Sequence, residues 1–341
     1  ALTAAAADCL VPLLSNLKAP VTALPSGHVA LHADVFCLDN SKTGKEGVSH
    51  TYHGYDGYAP IGAYLGEEGW CVGLELRPGE QHSQNDFGFF LDRVLPRAKA
   101  LAGSRRLLVT LDGAHDAAAN REQLDGENVD YLIKWNPRGE DPQTWSARAA
   151  REDRFVTVRA DKRVATFDET VAWTFEQRTY TARRVVRLTE RTADRHGQPL
   201  LFPALELEGW WTNLDGEAFD PDTLIALYQR RGTSEQYHSE FKTDLDLERL
   251  PSGKFDTNAL VLALAAIAYN ILRYIGQDTL IGPDAPIRKA VHRRRLRTVL
   301  QEMIYKAARL VRHGRRYVLR FSRGDPGYMA LARCYTRLVG A

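Results

Sequence analysis

Cysteine is scarce in this sequence and never paired: Cys9, Cys37, Cys71 and Cys334 stand far apart, without a Cys-x2-Cys spacing or a cysteine–histidine pairing. That excludes a zinc site and a disulfide framework, and it fits a reducing cytoplasm. Long apolar runs are missing too. The longest, from Ala259 to Leu272, is interrupted only by Asn270 and is too short to span a bilayer, so it predicts a buried helix and no membrane anchor. Residues 1–16 have no basic start and carry Asp8 within their apolar stretch, which argues against a secretory signal. A chain that starts at Ala1 reads as a fragment. Internal repeats and low-complexity tracts are absent, and the net charge is only +2.

What is present is enough for a globular protein: 341 residues, 44% hydrophobic and 26% charged, predict a sizeable core divided into two or more structural units. The near-neutral charge hides an asymmetry. Pro286 to Arg323 holds thirteen lysines and arginines against one acid, Glu302, so the remainder is acidic. A basic surface on an acidic body is the footprint of a polyanion binder.

Strand signals at HVALHADVF, YAPIGAYLG and WCVGLELR are followed by a helical pattern from about Asn85 to Leu101. The apolar strand RRLLVTLD ending at Asp112, a short helix from about Ala117 and the strand VDYLIKW complete the order βββαβαβ. That is the order of an RNase H-like sheet, an α/β fold. Alternating segments then predict a β-rich insertion, after which helical signals run from Pro221 to about Leu247 and into the apolar helix and a basic C-terminal helix. The expected divisions are a remnant of an N-terminal region (1–27), the first part of the core (28–137), the insertion (138–218), the second part of the core (219–275) and a basic C-terminal region (276–341).

The most informative stretch is LYQRRGTSEQYHSEFK, where Tyr228, Arg231, Glu235 and Lys242 are separated by two, three and six residues. On an ideal helix these four fall within roughly a 60° arc. One stripe would then carry a carboxylate, two cations and a phenol, a set suited to metal and phosphate rather than to a core. The spacing Tyr-x2-Arg-x3-Glu-x6-Lys resembles the signature of a large group of bacterial insertion-sequence DDE transposases. LDNSKTGKEGVSHTYHGYDGYAPIGAYLG, LLVTLDGAHDAAAN and EQYHSEFKTDLDLERLPSGKFDTNALVLALAAIAYNILR resemble the matching regions of one branch of that group.

The resemblance implies that Glu235 is the catalytic glutamate and Asp112 the second catalytic aspartate. Tyr228, Arg231 and Lys242 would contact DNA phosphates, with arginine as a planar fork and lysine as a point charge. The first aspartate is expected at Asp34, inside the first strand where an unpaired charge is costly, with Asp39 as the competing choice. The branch usually reads Leu-Asp-x-Asp here, whereas this chain has Leu31-His32-Ala33-Asp34, so a histidine replaces one acid. His115 and Asp116 receive no role.

Three carboxylates suit hard cations, and two Mg²⁺ or Mn²⁺ ions are the implied cofactors. The implied reaction is cut-and-paste transposition: cleavage at the transposon end, a hairpin intermediate and strand transfer into target DNA. In that group the insertion lies against the transposon end and supplies an aromatic residue to a flipped base, for which Trp173, Trp210 and Trp211 are candidates. Arg293, Arg294, Arg295 and Arg297, with Arg309, Arg312, Arg315 and Arg316, would bind backbone without reading sequence. The expected partners are double-stranded DNA, as terminal inverted repeats and target, and a second copy in a synaptic dimer at the bacterial nucleoid. Only some thirty residues precede Asp34, so specific end recognition is expected to be missing. The alternatives are a catalytically inactive DNA-binding descendant of a transposase and an RNase H-like repair nuclease.

Overall fold

The computed structural model describes residues 1–175, 177–322 and 324–340. Arg323, the last residue of the basic segment, therefore lies outside the described residues. The chain opens with two short helices, Leu2–Asp8 (α1) and Leu10–Asn16 (α2). Strands Val29–Val35 (β1), Leu38–Asp39 (β2), Ser49–His50 (β3), Asp56–Tyr58 (β4), Ile61–Leu65 (β5) and Trp70–Glu75 (β6) follow. Helix Phe87–Ala102 (α3), strand Leu107–Leu111 (β7), helix Ala118–Gly126 (α4) and strand Asp130–Lys134 (β8) come next. Helix Pro142–Arg151 (α5) precedes four strands, Val156–Arg159 (β9), Lys162–Phe175 (β10), Arg178–Ala193 (β11) and Pro199–Thr212 (β12). Helices Pro221–Gln229 (α6), Ser234–Ser239 (α7), Phe255–Leu280 (α8) and Leu296–Val299 (α9), the strands Ala308–His313 (β13) and Arg316–Phe321 (β14), and helix Pro326–Val339 (α10) complete it. The protein is mixed α/β.

Three helices start for one local reason. Asp141-Pro142, Asp220-Pro221 and Asp325-Pro326 each put an aspartate at the N-cap, where its carboxylate accepts a backbone N–H of the first turn. The following proline loses nothing, because the first helical N–H has no partner within the helix.

The chain forms two compact units. The first comprises Ala1–His82, Leu91–Arg105 and Gly232–Ala341. In it β5 pairs antiparallel with both β1 and β6, in a register that sets Ala33 opposite Ala63 and Asp34 opposite Gly62. Tyr64 of β5 sits among rings from the later segments: Tyr237 at 4.8 Å, His238 at 5.6 Å and Tyr269 at 6.3 Å. Helix α8 packs on β6 and is longer than its apolar run, with 26 residues. By length and composition it could cross a membrane. Its polar residues Asn258, Asn270 and Arg273 are fully buried and bonded within the protein, however, as a core helix requires. Asn270 accepts a hydrogen bond from the N–H of Cys71 at 2.9 Å and donates to its C=O at 2.8 Å.

The expected basic C-terminal helix is a correction. Between Pro286 and Phe321 the described helical structure is α9 and one further turn; Arg288 and Arg293–Arg295 lie in irregular chain before α9, and Arg309, Arg312, Arg315, Arg316 and Arg320 fall on the β13–β14 hairpin. Residues 308–321, ARLVRHGRRYVLRF, are rich in β-branched and aromatic residues around Gly314, which favours a hairpin over a helix.

The second unit comprises Ser83–Phe90 and Arg106–Arg231. Here β7 and β8 run parallel, joined through α4, and β12 lies antiparallel beside β8. Strands β11, β10 and β9 continue the sheet antiparallel. Charge pairs such as Arg163–Glu190, Arg183–Asp168 and Arg187–Glu208 run across these long strands. Helix α5 covers them, with Trp145 edge-on to Phe167 at 4.9 Å; this helix falls where only strands were expected.

Candidate active site

In the first unit, the end of β1 and the segment from α7 to Glu248 enclose a cleft of about 600 Å³ whose lining includes Asp34, Glu235, Ser239, Lys242 and Glu248. Each acid is placed by its neighbours. Asp34 is half-buried and accepts the Val35 N–H at 2.9 Å. Its cross-strand neighbour is Gly62, where a β-carbon would meet the Tyr64 hydroxyl at 2.6 Å. On α7, Ser234, Tyr237 and His238 face the core, and Phe36 stacks on His238 at 4.5 Å and 16°. The helix is thereby fixed next to β1, and Glu235 is sent outward into the cleft. Lys242 lies 3.4 Å from Glu248, whose carboxylate also accepts the Asp39 N–H. Asp39 turns to Ser41, which donates its N–H at 2.8 Å and holds the carboxyl below its usual range. It is not among the lining residues of the cleft.

Behind the cleft lies a buried ionic network. Glu240, fully enclosed, accepts from Arg273 and Arg293, from the Leu296 N–H at 2.9 Å and from the Tyr269 hydroxyl at 3.2 Å. Two arginines on one carboxylate leave an excess positive charge there.

Asp112 belongs to the second unit. It caps the turn Gly113–His115, accepting the Ala114 N–H at 3.2 Å, and lies 2.7 Å from Nδ1 of His115. His115 is fully buried, with its ring 4.1 Å from Phe87. Burial alone would raise the Asp112 pKa. The hydrogen bond and charge of His115, the charge of Arg231 and the Ala114 amide outweigh it and hold the carboxyl below its ordinary value. Tyr228 donates its hydroxyl to the Leu111 carbonyl at 3.3 Å and packs on Trp210. Asp116 is occupied by Arg121 at 2.7 Å and by the Asn136 N–H.

The single helical stripe expected from Tyr228 to Lys242 is not built as one helix. Helix α6 ends at Gln229, Arg230–Thr233 form a tight 3₁₀ turn, α7 follows, and Glu240–Asp244 widen into a π turn. The pitch changes twice, so 100° per residue does not place the four side chains. Tyr228 and Arg231 fall in the second unit, Glu235 and Lys242 in the first.

Of the basic cluster, Arg293 is engaged by Glu240 and Arg294 donates to the carbonyls of Leu280, Ile287 and Lys289. Both are turned into the protein. Arg295 and Arg297 stay exposed while pairing with Asp244. Among the tryptophans, Trp210 and Trp211 are buried, and Trp173 is flanked by Tyr180 at 5.7 Å and by the Arg121 guanidinium at 4.8 Å. Among the described residues no three His, Cys, Asp or Glu side chains gather as a ready metal cluster.

A sequence profile of the family described as Transposase DDE domain group 1 matches residues 40–340. The chain belongs to that family. The match begins after Asp34 and Asp39, so neither candidate for the first aspartate lies inside it. No curated protein matches. A solved structure of a piggyBac transposase synaptic complex with hairpin DNA is 10% identical, with a TM-score of 0.40, covering 77% of this chain and 52% of the other. This chain thus spans about half the length of that one.

His115 is the functional candidate that the sequence did not single out. Its signal was present: Asp112-x2-His115 places an imidazole one tight turn after the acid.

Proposed function

We propose that this DDE transposase, of bacterial insertion-sequence type and with an RNase H-like core, carries out metal-dependent cleavage of transposon ends and strand transfer by a cut-and-paste route. The observation that carries the reading is the cleft in which Asp34 and Glu235 stand together with Lys242. Carboxylates and a cation opening into one cavity are suited to a phosphodiester backbone and a hard cation.

Asp34, Glu235 and Asp112 would hold two Mg²⁺ or Mn²⁺ ions. The donor set fits: the ligands are oxygen atoms, and Asp112 is kept ionised by its surroundings. Bound there, the ions would activate the attacking oxygen and stabilise the leaving one. The chain's own groups do the rest. Lys242 supplies a point charge to a phosphate at the cleft, Arg231 a planar fork, and Tyr228 a contact near the transposon end. His115 fixes the orientation of Asp112. Arg295 and Arg297 present charge to backbone, and a homodimer pairs the two ends at the nucleoid.

The test is Mg²⁺- or Mn²⁺-dependent cleavage of the element end by wild type and by Glu235→Gln, which keeps shape and removes charge. Wild type should nick the 3′ end while the variant binds without cutting. If wild type binds the end tightly and neither protein cuts, the inactive DNA-binding descendant is the better account.

A further inference from the structure

The β13–β14 hairpin carries the arginines expected from the sequence to bind DNA backbone, but in a form the sequence did not predict, a two-stranded ribbon outside the catalytic cleft. Its fourteen residues, Ala308–Phe321, contain Arg309, Arg312, Arg315, Arg316 and Arg320 and no acid. Among the described residues none of these five guanidinium groups has an ion-pair partner, whereas Arg293, Arg295 and Arg297 each have one. Both faces of the hairpin are open to solvent along most of its length.

The register sharpens the point. Arg309 faces Arg320 and His313 faces Arg316, with Val311 and Val318 paired between them on the same face. Like charges directly opposite destabilise a strand pair, and a lone two-stranded hairpin is marginal in water. The hairpin is nevertheless well made. Gly314 takes φ +60° at the first position of the two-residue turn, where glycine suits the twist of the strands. Its base is anchored by Phe321 stacked on Tyr328 of α10 at 4.7 Å, and by the Lys306–Asp325 ion pair. An anchored, self-repelling ribbon is suited to an anion outside itself. A second copy of the hairpin would bring more arginines and no carboxylate, so pairing of hairpin with hairpin is disfavoured.

We infer that the β13–β14 hairpin is a ribbon that enters the major groove of duplex DNA, with Arg309, Arg316 and Arg320 directed at the groove. The major groove admits a two-stranded β-ribbon, and arginine forks match both phosphates and guanine edges. This rests on the transposase reading for the identity of the polyanion, and it adds a site outside the catalytic cleft.

The experiment measures equilibrium binding without metal, so that cleavage plays no part. Wild type and Arg309→Ala/Arg316→Ala/Arg320→Ala are titrated onto a duplex of arbitrary sequence. They are also titrated onto the same duplex carrying glucosylated hydroxymethylcytosine, which fills the major groove. The triple variant should bind the plain duplex more weakly, its log–log salt slope shallower by about one unit per arginine. Wild type should lose affinity on the glucosylated duplex down to the level of the triple variant. Because no metal is present, a failed catalytic reading would leave this result standing. An Arg→Lys version of the triple variant should retain the slope, which excludes misfolding as the cause. Equal binding of wild type to both duplexes, an unchanged slope in the triple variant, or preference for anionic vesicles over DNA would overturn the proposal.

Discussion

At the scale of single residues, the imidazole of His115 decides how Asp112 is presented. A ligand-orienting partner of this kind typically governs activity by about 10–100-fold. His115→Phe, which keeps a ring against Phe87 and removes the hydrogen bond, should lower end cleavage by that order while leaving DNA affinity unchanged; a binding isotherm beside a cleavage time course separates the two. Asp244 offers a different readout. Burial would raise its pKa, but the Arg295 hydrogen bond and the Arg297 N–H outweigh this and depress it. A carboxyl depressed by folding contributes stability that is complete above its unfolded value of about 3.9 and is lost as pH falls through the lower folded value. Thermal melts should therefore show wild type losing more stability than Asp244→Asn on acidification below about pH 4. Parallel curves would remove Asp244 as a source of acid sensitivity.

At the scale of elements, the decisive join is between the π turn Glu240–Asp244 and α8. Arg273 and Arg293 converge on Glu240 there, in a site sealed from water. Removing one partner of a buried pair costs about 3–5 kcal/mol, because the other charge is left uncompensated. Glu240→Ala, which leaves both arginines without their anion, should fall by that amount in denaturant unfolding. The turn that carries Lys242 should loosen with it, so the activity loss at a temperature where the variant is still folded should exceed that of a surface arginine. Elements of this kind were unevenly legible. Strands β1, β5, β6, β7 and β8 could be read as short continuous apolar runs, because they are buried on both faces, and helices α3 and α4 from hydrophobic periodicity, because each buries one face. Helix α5 announced itself only by Asp141-Pro142, amid segments whose alternation spoke for strands. The two pitch changes after α6 could not be read, since 3₁₀ and π turns keep helical composition and shift side chains by only a fraction of a turn. The arginines of β13 and β14 mask a period-two pattern, and charge density alone fits a basic helix as well as a hairpin. In the cleft, Asp34 and Glu235 were legible from strand position and motif. Glu240 was not, because its partners lie 33 and 53 residues away.

At the scale of the whole molecule, charge and chemistry should separate cleanly. Chelation of divalent ions should abolish cleavage and strand transfer while leaving duplex binding largely intact, because the arginines outside the cleft need no metal. Rising salt should do the reverse, weakening binding steeply and leaving pre-bound turnover less affected; a filter-binding series run beside a cleavage series would show both. The amide of Asn270 has a separate consequence at this scale. Strand β6 pairs with β5 on one side only within its unit, so its other side is an open row of peptide groups inviting a neighbour strand. By taking both the N–H and C=O of Cys71, the Asn270 side chain imitates one residue of that missing neighbour and closes the row from within. What looks like a flaw in an apolar helix is thus a guard against strand-to-strand self-association, and Asn270→Leu should expose the protein to aggregation at concentrations that wild type tolerates.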